Sequence, residues 1–195
     1  MENIIKKMTS LYPVSDKTIQ ELKKQITYIH FPKKHLLVQA DRYNGSAFFI
    51  EKGITRSFWL VNNKEVTTSF ANEGSIVFSM DELYYGKNSE EFVETLEETE
   101  AYQIALTDLN HLLNTNIELC NWGRIIHQNE YRRIHRTHKE RLTLSATERY
   151  KEFEKQFPTI CQGVNWGHIA SYLGITLPTP VSYTHLRAHE TSQDL

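Results

Sequence analysis

The sequence predicts an α+β fold: a β-rich N-terminal stretch closed as a sandwich or barrel, then a long helix, then a helix-turn-helix. Three observations carry this expectation. Short apolar runs punctuated by turn residues fill the chain from Ile29 to about Leu106. A helical pattern runs unbroken from about Ile117 to Leu144. Near the C-terminus, Ala170 is followed four residues later by Gly174, between apolar positions that suit two crossing helices.

Taken in order, Ser15 or Asp16 can cap a first helix through about Gln25, with Ile19, Leu22 and Ile26 at helical spacing. Strands are expected at Leu36–Val38, Ala47–Ile50, Ile54–Val61, Val66–Phe70, Phe92–Leu96 and Tyr102–Leu106. Asn62 and Asn63 separate two β-rich runs, and asparagine tolerates the positive φ of a tight hairpin turn. Many short strands at this spacing indicate a sandwich or barrel. Thr107 or Asp108 is expected to cap a short helix carrying Leu109, Leu112 and Leu113.

The long helix that follows has a thin apolar stripe: Ile117, Cys120, Ile125 or Ile126, Tyr131, Ile134 and Leu142, with arginines and histidines between. Such a stripe suits a seam against a partner helix; packing on the chain's own β-domain is the alternative. Ser145 and Glu148 have the spacing of a capping box, opening a helix with Tyr150, Phe153 and Phe157 that Pro158 should end. Asn165 can cap the next helix, and Val164 and Ile169 stand where a hydrophobic staple sits. Ala170 is small where a second helix must cross, and Gly174 permits the left-handed turn between them. Thr176 would begin that second helix, whose N-terminal residues meet base edges or phosphates in a DNA reader.

Composition sets the outer limits. The 195 residues are 39% hydrophobic and 24% charged, with a net charge of -2, ordinary values for a globular chain. No apolar run approaches the roughly 20 residues of a membrane span, and Met1–Ser10 has no signal-peptide core. Cys120 and Cys161 form neither a disulfide framework nor a metal-ligand spacing, so a cytoplasmic location without disulfides is expected. Charge is uneven. Glutamates crowd Glu90–Glu100 and basic residues crowd Arg124–Arg141, as in a chain with two tasks.

Against this background a resemblance becomes specific. Phe48–Phe58 (FFIEKGITRSF), Lys64–Gly74 (KEVTTSFANEG) and His168–Thr176 (HIASYLGIT) resemble segments of the Crp/Fnr family of regulators, particularly its degenerate Bacteroidetes branch. The resemblance covers nearly the whole chain up to Thr176. It implies a double-stranded β-helix (a cupin-like β-roll) as sensor over 1–115, a dimerisation helix over 116–144, and a winged helix-turn-helix truncated to 145–176. The implied partners are double-stranded DNA, a second copy of the chain, RNA polymerase and a small-molecule effector of unknown identity. Carried over residue by residue, DNA contacts fall to Asn165, His168, Ser171 and Thr176, and effector contacts to Gly74, Phe78, Ser79, Ser89 and Glu91.

Cyclic-nucleotide-binding members hold the ribose with a Gly-Glu pair and the cyclic phosphate with an Arg-Ser or Arg-Ala pair. The matching stretches here are Gly74–Ser75 and Ser89–Phe92, with no arginine and two carboxylates that repel phosphate. Cyclic AMP held in the usual way is therefore not expected. Iron–sulfur sensing would need an N-terminal cysteine cluster, which this sequence lacks. No cofactor, metal or catalytic residue is expected. His127, His135 and His138 could share a helix face, but adjacent arginines disfavour a cation, and His30 and His35 lack the spacing of a cupin enzyme. Trp59 and Met80 read as pocket or core residues. The competing functional class is a ligand-binding β-roll that acts through protein contacts.

The stretch after Thr176 departs from the pattern. Pro178 and Pro180 fall where the second helix should run, and each costs about 3 kcal/mol inside a helix. Val181–Thr191 (VSYTHLRAHET) resembles one reading frame of a transposase-end adapter used in preparing sequencing libraries, so 177–195 is expected to be an artefactual, poorly packed tail without base-reading capacity.

Overall fold

Two four-stranded antiparallel sheets form the N-terminal part of the chain, and the reason is visible in β3 (Ser46–Lys52). Ala47, Phe48, Phe49 and Ile50 are all buried, so this strand is covered on both faces. Side chains alternate across a strand. Phe48 and Ile50 accordingly face the second sheet, whereas Ala47 and Phe49 face a layer of helices.

The computed structural model describes residues 1–175. Around β3 the first sheet has the order β1 (Thr27–Phe31), β8 (Thr99–Ala105), β3 and β6 (Ile76–Val77). The second has the order β2 (Leu36–Val38), β7 (Phe92–Thr95), β4 (Thr55–Val61) and β5 (Lys64–Ala71). Between the sheets pack Phe31, Leu37, Val38, Phe48, Ile50, Val77, Val93 and Ala101. The β4–β5 hairpin closes through Asn62 and Asn63 at φ 51° and 60°, the left-handed pair that the sequence called for. One bulge interrupts this hairpin: Ser57 pairs with Ser69 and Phe58 with Thr67, which leaves Thr68 as the extra residue.

The helical layer consists of α1 (Glu2–Leu11), α2 (Asp16–Lys23), α3 (Leu106–Thr115) and the long α4 (Ile117–Thr143). Ser15 caps α2 as expected, accepting from the Thr18 amide. The predicted cap of α3 is corrected: this helix begins at Leu106 directly after β8, with Ala105 in the cap position and no side-chain cap. Leu106 is buried, so continuity of the core fixes that start in place of a capping hydroxyl. Only the first part of α4 belongs to this core, through Leu119, Trp122 and Gly123. Trp122 stacks on Phe49 with ring centroids 6.1 Å apart.

The chain divides into two compact units, the first spanning Met1–Thr143 and the second beginning at Leu144. The second contains α5 (Ala146–Gln156), α6 (Pro158–Gly163) and α7 (Trp166–Leu173). The Ser145–Glu148 capping box is present with both reciprocal bonds. Pro158 ends α5 as expected and then opens α6, where its fixed φ and missing N–H suit the first helical turn. Phe153, Ile160, Cys161, Ile169, Ala170, Tyr172 and Leu173 are buried, and the rings of Phe153 and Tyr172 lie 5.2 Å apart.

Candidate functional site

In the first unit, polar groups collect where β6 leads into β7. The connection carries one π-helical turn, Asp81–Tyr85, which ends at Gly86 in the left-handed region (φ 61°). Glu82 within it is 3% exposed, and its carboxylate accepts from the Asn44 amide (3.0 Å), the Asn44 side chain (2.6 Å) and the Gly45 amide (2.7 Å). That carboxylate ties the turn to the loop before β3. The adjoining Ser79 is 1% exposed and its hydroxyl accepts from the Glu82 amide at 3.3 Å. Tyr84 points the other way. Its hydroxyl meets His127 Nε2 on α4 at 2.7 Å, and His127 Nδ1 lies 2.7 Å from the Gly123 carbonyl. A ring nitrogen facing a carbonyl must carry the proton, so His127 Nδ1 donates to the Gly123 carbonyl and Nε2 is left to pair with the Tyr84 hydroxyl.

Ser89 and Glu91 follow the turn. Ser89 is 1% exposed; its hydroxyl donates to the Glu91 carbonyl (2.9 Å) and accepts from the Glu91 amide (3.2 Å). Burial, and after it the Asp81 carboxylate, push the Glu91 carboxyl up to about 7, against a smaller opposing effect of the Thr68 hydroxyl. Asp81 itself accepts from the Glu90 amide at 3.2 Å.

Of the expected effector residues, Ser79, Ser89 and Glu91 thus fall on or beside one segment. Phe78 is partly buried against the helical core and meets Tyr84 edge-on, with centroids 6.3 Å apart. Gly74 lies elsewhere. Its φ is +80°, and a Cβ there would stand 2.5 Å from Lys7 Cβ of α1. Trp59 and Met80 are not core residues, being 48% and 47% exposed: Trp59 lies near the tip of the β4–β5 hairpin and Met80 precedes the π-turn.

Sequence reasoning missed Glu82, Tyr84 and Arg56. Arg56 is 2% exposed on β4, pairing with Glu94 at 2.5 Å, with Glu65, and with the Phe58 ring at 4.3 Å. Its position follows from alternation: Ser57 shares the inner face with Val93, so Arg56 is turned to the opposite one.

In the second unit, Asn165 caps α7, its side chain accepting from the Gly167 amide at 2.7 Å. Ala170 is 2% exposed. Gly174 sits at φ 63°, ψ 40°, with the Ile175 amide donating to the Ala170 carbonyl (3.0 Å) and the Gly174 amide to that of Ser171 (3.2 Å). These two bonds define a Schellman stop, which turns the chain sharply after α7. His168 and Ser171 are partly buried on α7, and Asn165 is exposed. Thr176 and the expected tail lie outside the described residues.

No protein-family profile matches the chain, and no curated protein matches it. Solved structures do. A Crp/Fnr-family transcriptional regulator from Eubacterium rectale aligns with TM-score 0.68 and 13% identity, covering 91% of this chain and 84% of its own. CLP, the c-di-GMP-responsive global regulator of Xanthomonas campestris, aligns with TM-score 0.66 and 13% identity, covering 91% and 92%. FixK2 from Bradyrhizobium japonicum gives TM-score 0.66 and 18% identity over 85% of each chain.

The fold is that of Crp/Fnr regulators. At these identities the likeness concerns backbone architecture. Within the Crp/Fnr fold, α4 presents Ile117, Tyr131, Ile134 and Leu142 to solvent, each more than half exposed, while its start is anchored in the core. The first turns of α4 thus pack on the chain's own β-domain through Leu119 and Trp122, while Tyr131, Ile134 and Leu142 further along are exposed. Among the described residues no helix is long and apolar enough to cross a membrane.

Proposed function

We propose that this chain is a homodimeric, cytoplasmic DNA-binding transcription regulator whose β-roll senses a small molecule, acting by binding without catalysing a reaction. The observation that carries the reading is the pairing of buried Ala170 with the left-handed Gly174 directly after a capped α7. That combination lets a following helix cross α7 closely, at the angle a major-groove reader requires. Asn165, His168, Ser171 and Thr176 are then the residues offered to phosphates and base edges, with RNA polymerase as a further partner. The uncovered apolar stripe of α4 supports association with a second copy. Gly74, Phe78, Ser79, Ser89 and Glu91 are the proposed effector contacts; Gly74 in addition leaves room for α1.

The test is selection from a random duplex library by protein carrying a complete helix after Gly174, followed by affinity measurement across salt concentrations. A regulator yields a preferred, two-fold-related sequence and an affinity that falls steeply with salt. Ala170→Leu should abolish the preference by wedging the two helices apart. A protein with no salt-dependent affinity for duplex DNA would act instead through protein contacts, and the regulator reading would be withdrawn.

A further inference from the structure

We propose that an outward basic row on α4, formed by Arg132, Arg136 and Lys139, is a phosphate-contacting surface that holds duplex DNA without regard to sequence. It is a second surface, carried by the first unit, and it does not depend on α7 as a reader of bases.

The row follows from helical spacing. At about 100° per residue, positions 132, 136 and 139 fall within about 60° of one another around the axis and span roughly 10 Å along it. Leu119 and Trp122, which anchor α4 in the core, lie about a third of the circumference away on one side. Tyr131, Ile134 and Leu142 lie about as far away on the other, so pairing of two copies through that stripe leaves the row open. All three cations are exposed, as are Gln128 and Asn129 beside them.

Charge and partners select the occupant. Residues 131–141 hold five arginine and lysine cations, Arg132, Arg133, Arg136, Lys139 and Arg141, against one acid, Glu140, in a chain whose net charge is -2. Arg133 is held by Glu130, and Arg141 has a partner too. Arg132, Arg136 and Lys139 have no ion pair or side-chain hydrogen bond among the described residues. Like charges four apart on a helix repel, so Arg132 and Arg136 weaken α4 unless an anion lies across them. Each DNA strand carries one phosphate per about 3.4 Å of axis, so a row of this length spans roughly three of them. Gln128 and Asn129 add neutral donors of the kind that hold phosphate oxygens. A lipid surface fits less well, since a helix lying in a bilayer interface buries a broad apolar side. Here that side narrows to Tyr131, Ile134 and Leu142.

The experiment is fluorescence anisotropy of the whole chain with a labelled duplex of arbitrary sequence at rising salt. The wild type should bind, with an affinity that falls as salt rises. Combining Arg132→Gln, Arg136→Gln and Lys139→Gln should lower the logarithmic salt slope by about three, near one per lost phosphate contact. Arg136→Gln alone should remove about one. None of these side chains is buried, so circular dichroism of the variants should match the wild type. Lys23→Gln with Lys24→Gln, exposed at the end of α2, should leave the slope as it is. Absence of salt-dependent binding by the wild type, an equal slope in the triple variant, an equal loss in the α2 pair, or a preference for phosphatidylserine vesicles over duplex would each overturn the assignment. Neutralising the row in protein with a complete helix after Gly174 should leave any sequence preference intact, so the row and the base reader can fail separately.

Discussion

Glu82 shows how much one residue holds in place. Its carboxylate takes three hydrogen bonds from a loop 37–38 positions earlier in the chain and fastens the π-turn whose Tyr84 reaches α4. Glu82→Ala strands the Asn44 and Gly45 amides, and we expect a loss of roughly 3 kcal/mol in urea unfolding, with Tyr84→Phe far milder. No signal in the sequence marks Glu82, because its partners are distant and its own segment has neither helical nor strand periodicity. Glu91 has the opposite character. Its folded-state pKa, about 7, lies above the ordinary 4.5, so between these values the folded state binds more protons than the unfolded one. Stability therefore falls as pH rises through that window, by roughly 2–3 kcal/mol if Glu91 is the sole contributor. Chemical denaturation at pH 5 and pH 8 should show the decline in the wild type and a flatter profile in Glu91→Gln.

Among the elements, those with strong periodicity and a local start signal were legible. The strands alternate or run apolar according to whether one face or both are covered, the asparagine pair closes its hairpin, and Ser15, Ser145 and Asn165 cap the helices they precede. Two helices were not read. In α1, Ile4, Met8 and Leu11 do carry helical spacing, but ten residues with these three positions and no side-chain cap give a weak helix signal. Pro158 reads as a stop, and the start of α6 hides behind it because the same ring chemistry serves both ends. The long α4 was legible in extent but not in division of labour. If its uncovered stripe is a seam between copies, Ile134→Lys with Leu142→Lys should convert a dimer to a monomer in sedimentation velocity. Thermal stability of the first unit should change little, since neither side chain is buried.

At the scale of the molecule, the chain divides into two compact units after Thr143. The first has its own inter-sheet core and a second core under the helices, so residues 1–143 should fold alone. Circular dichroism of that fragment should show mixed helix and sheet and one cooperative melt. The effector residues carried over from the resemblance divide within this unit, and Gly74 is the instructive case. It is the seat on which α1 rests: its missing side chain makes room for Lys7 and the Asn3 carbonyl. Replacing it with alanine would lift the N-terminal helix from the roll and loosen Phe49, Trp122 and their neighbours beneath it. A loss of response in such a variant would then have to be separated from the unseating of that helix before Gly74 is drawn on any map of the pocket.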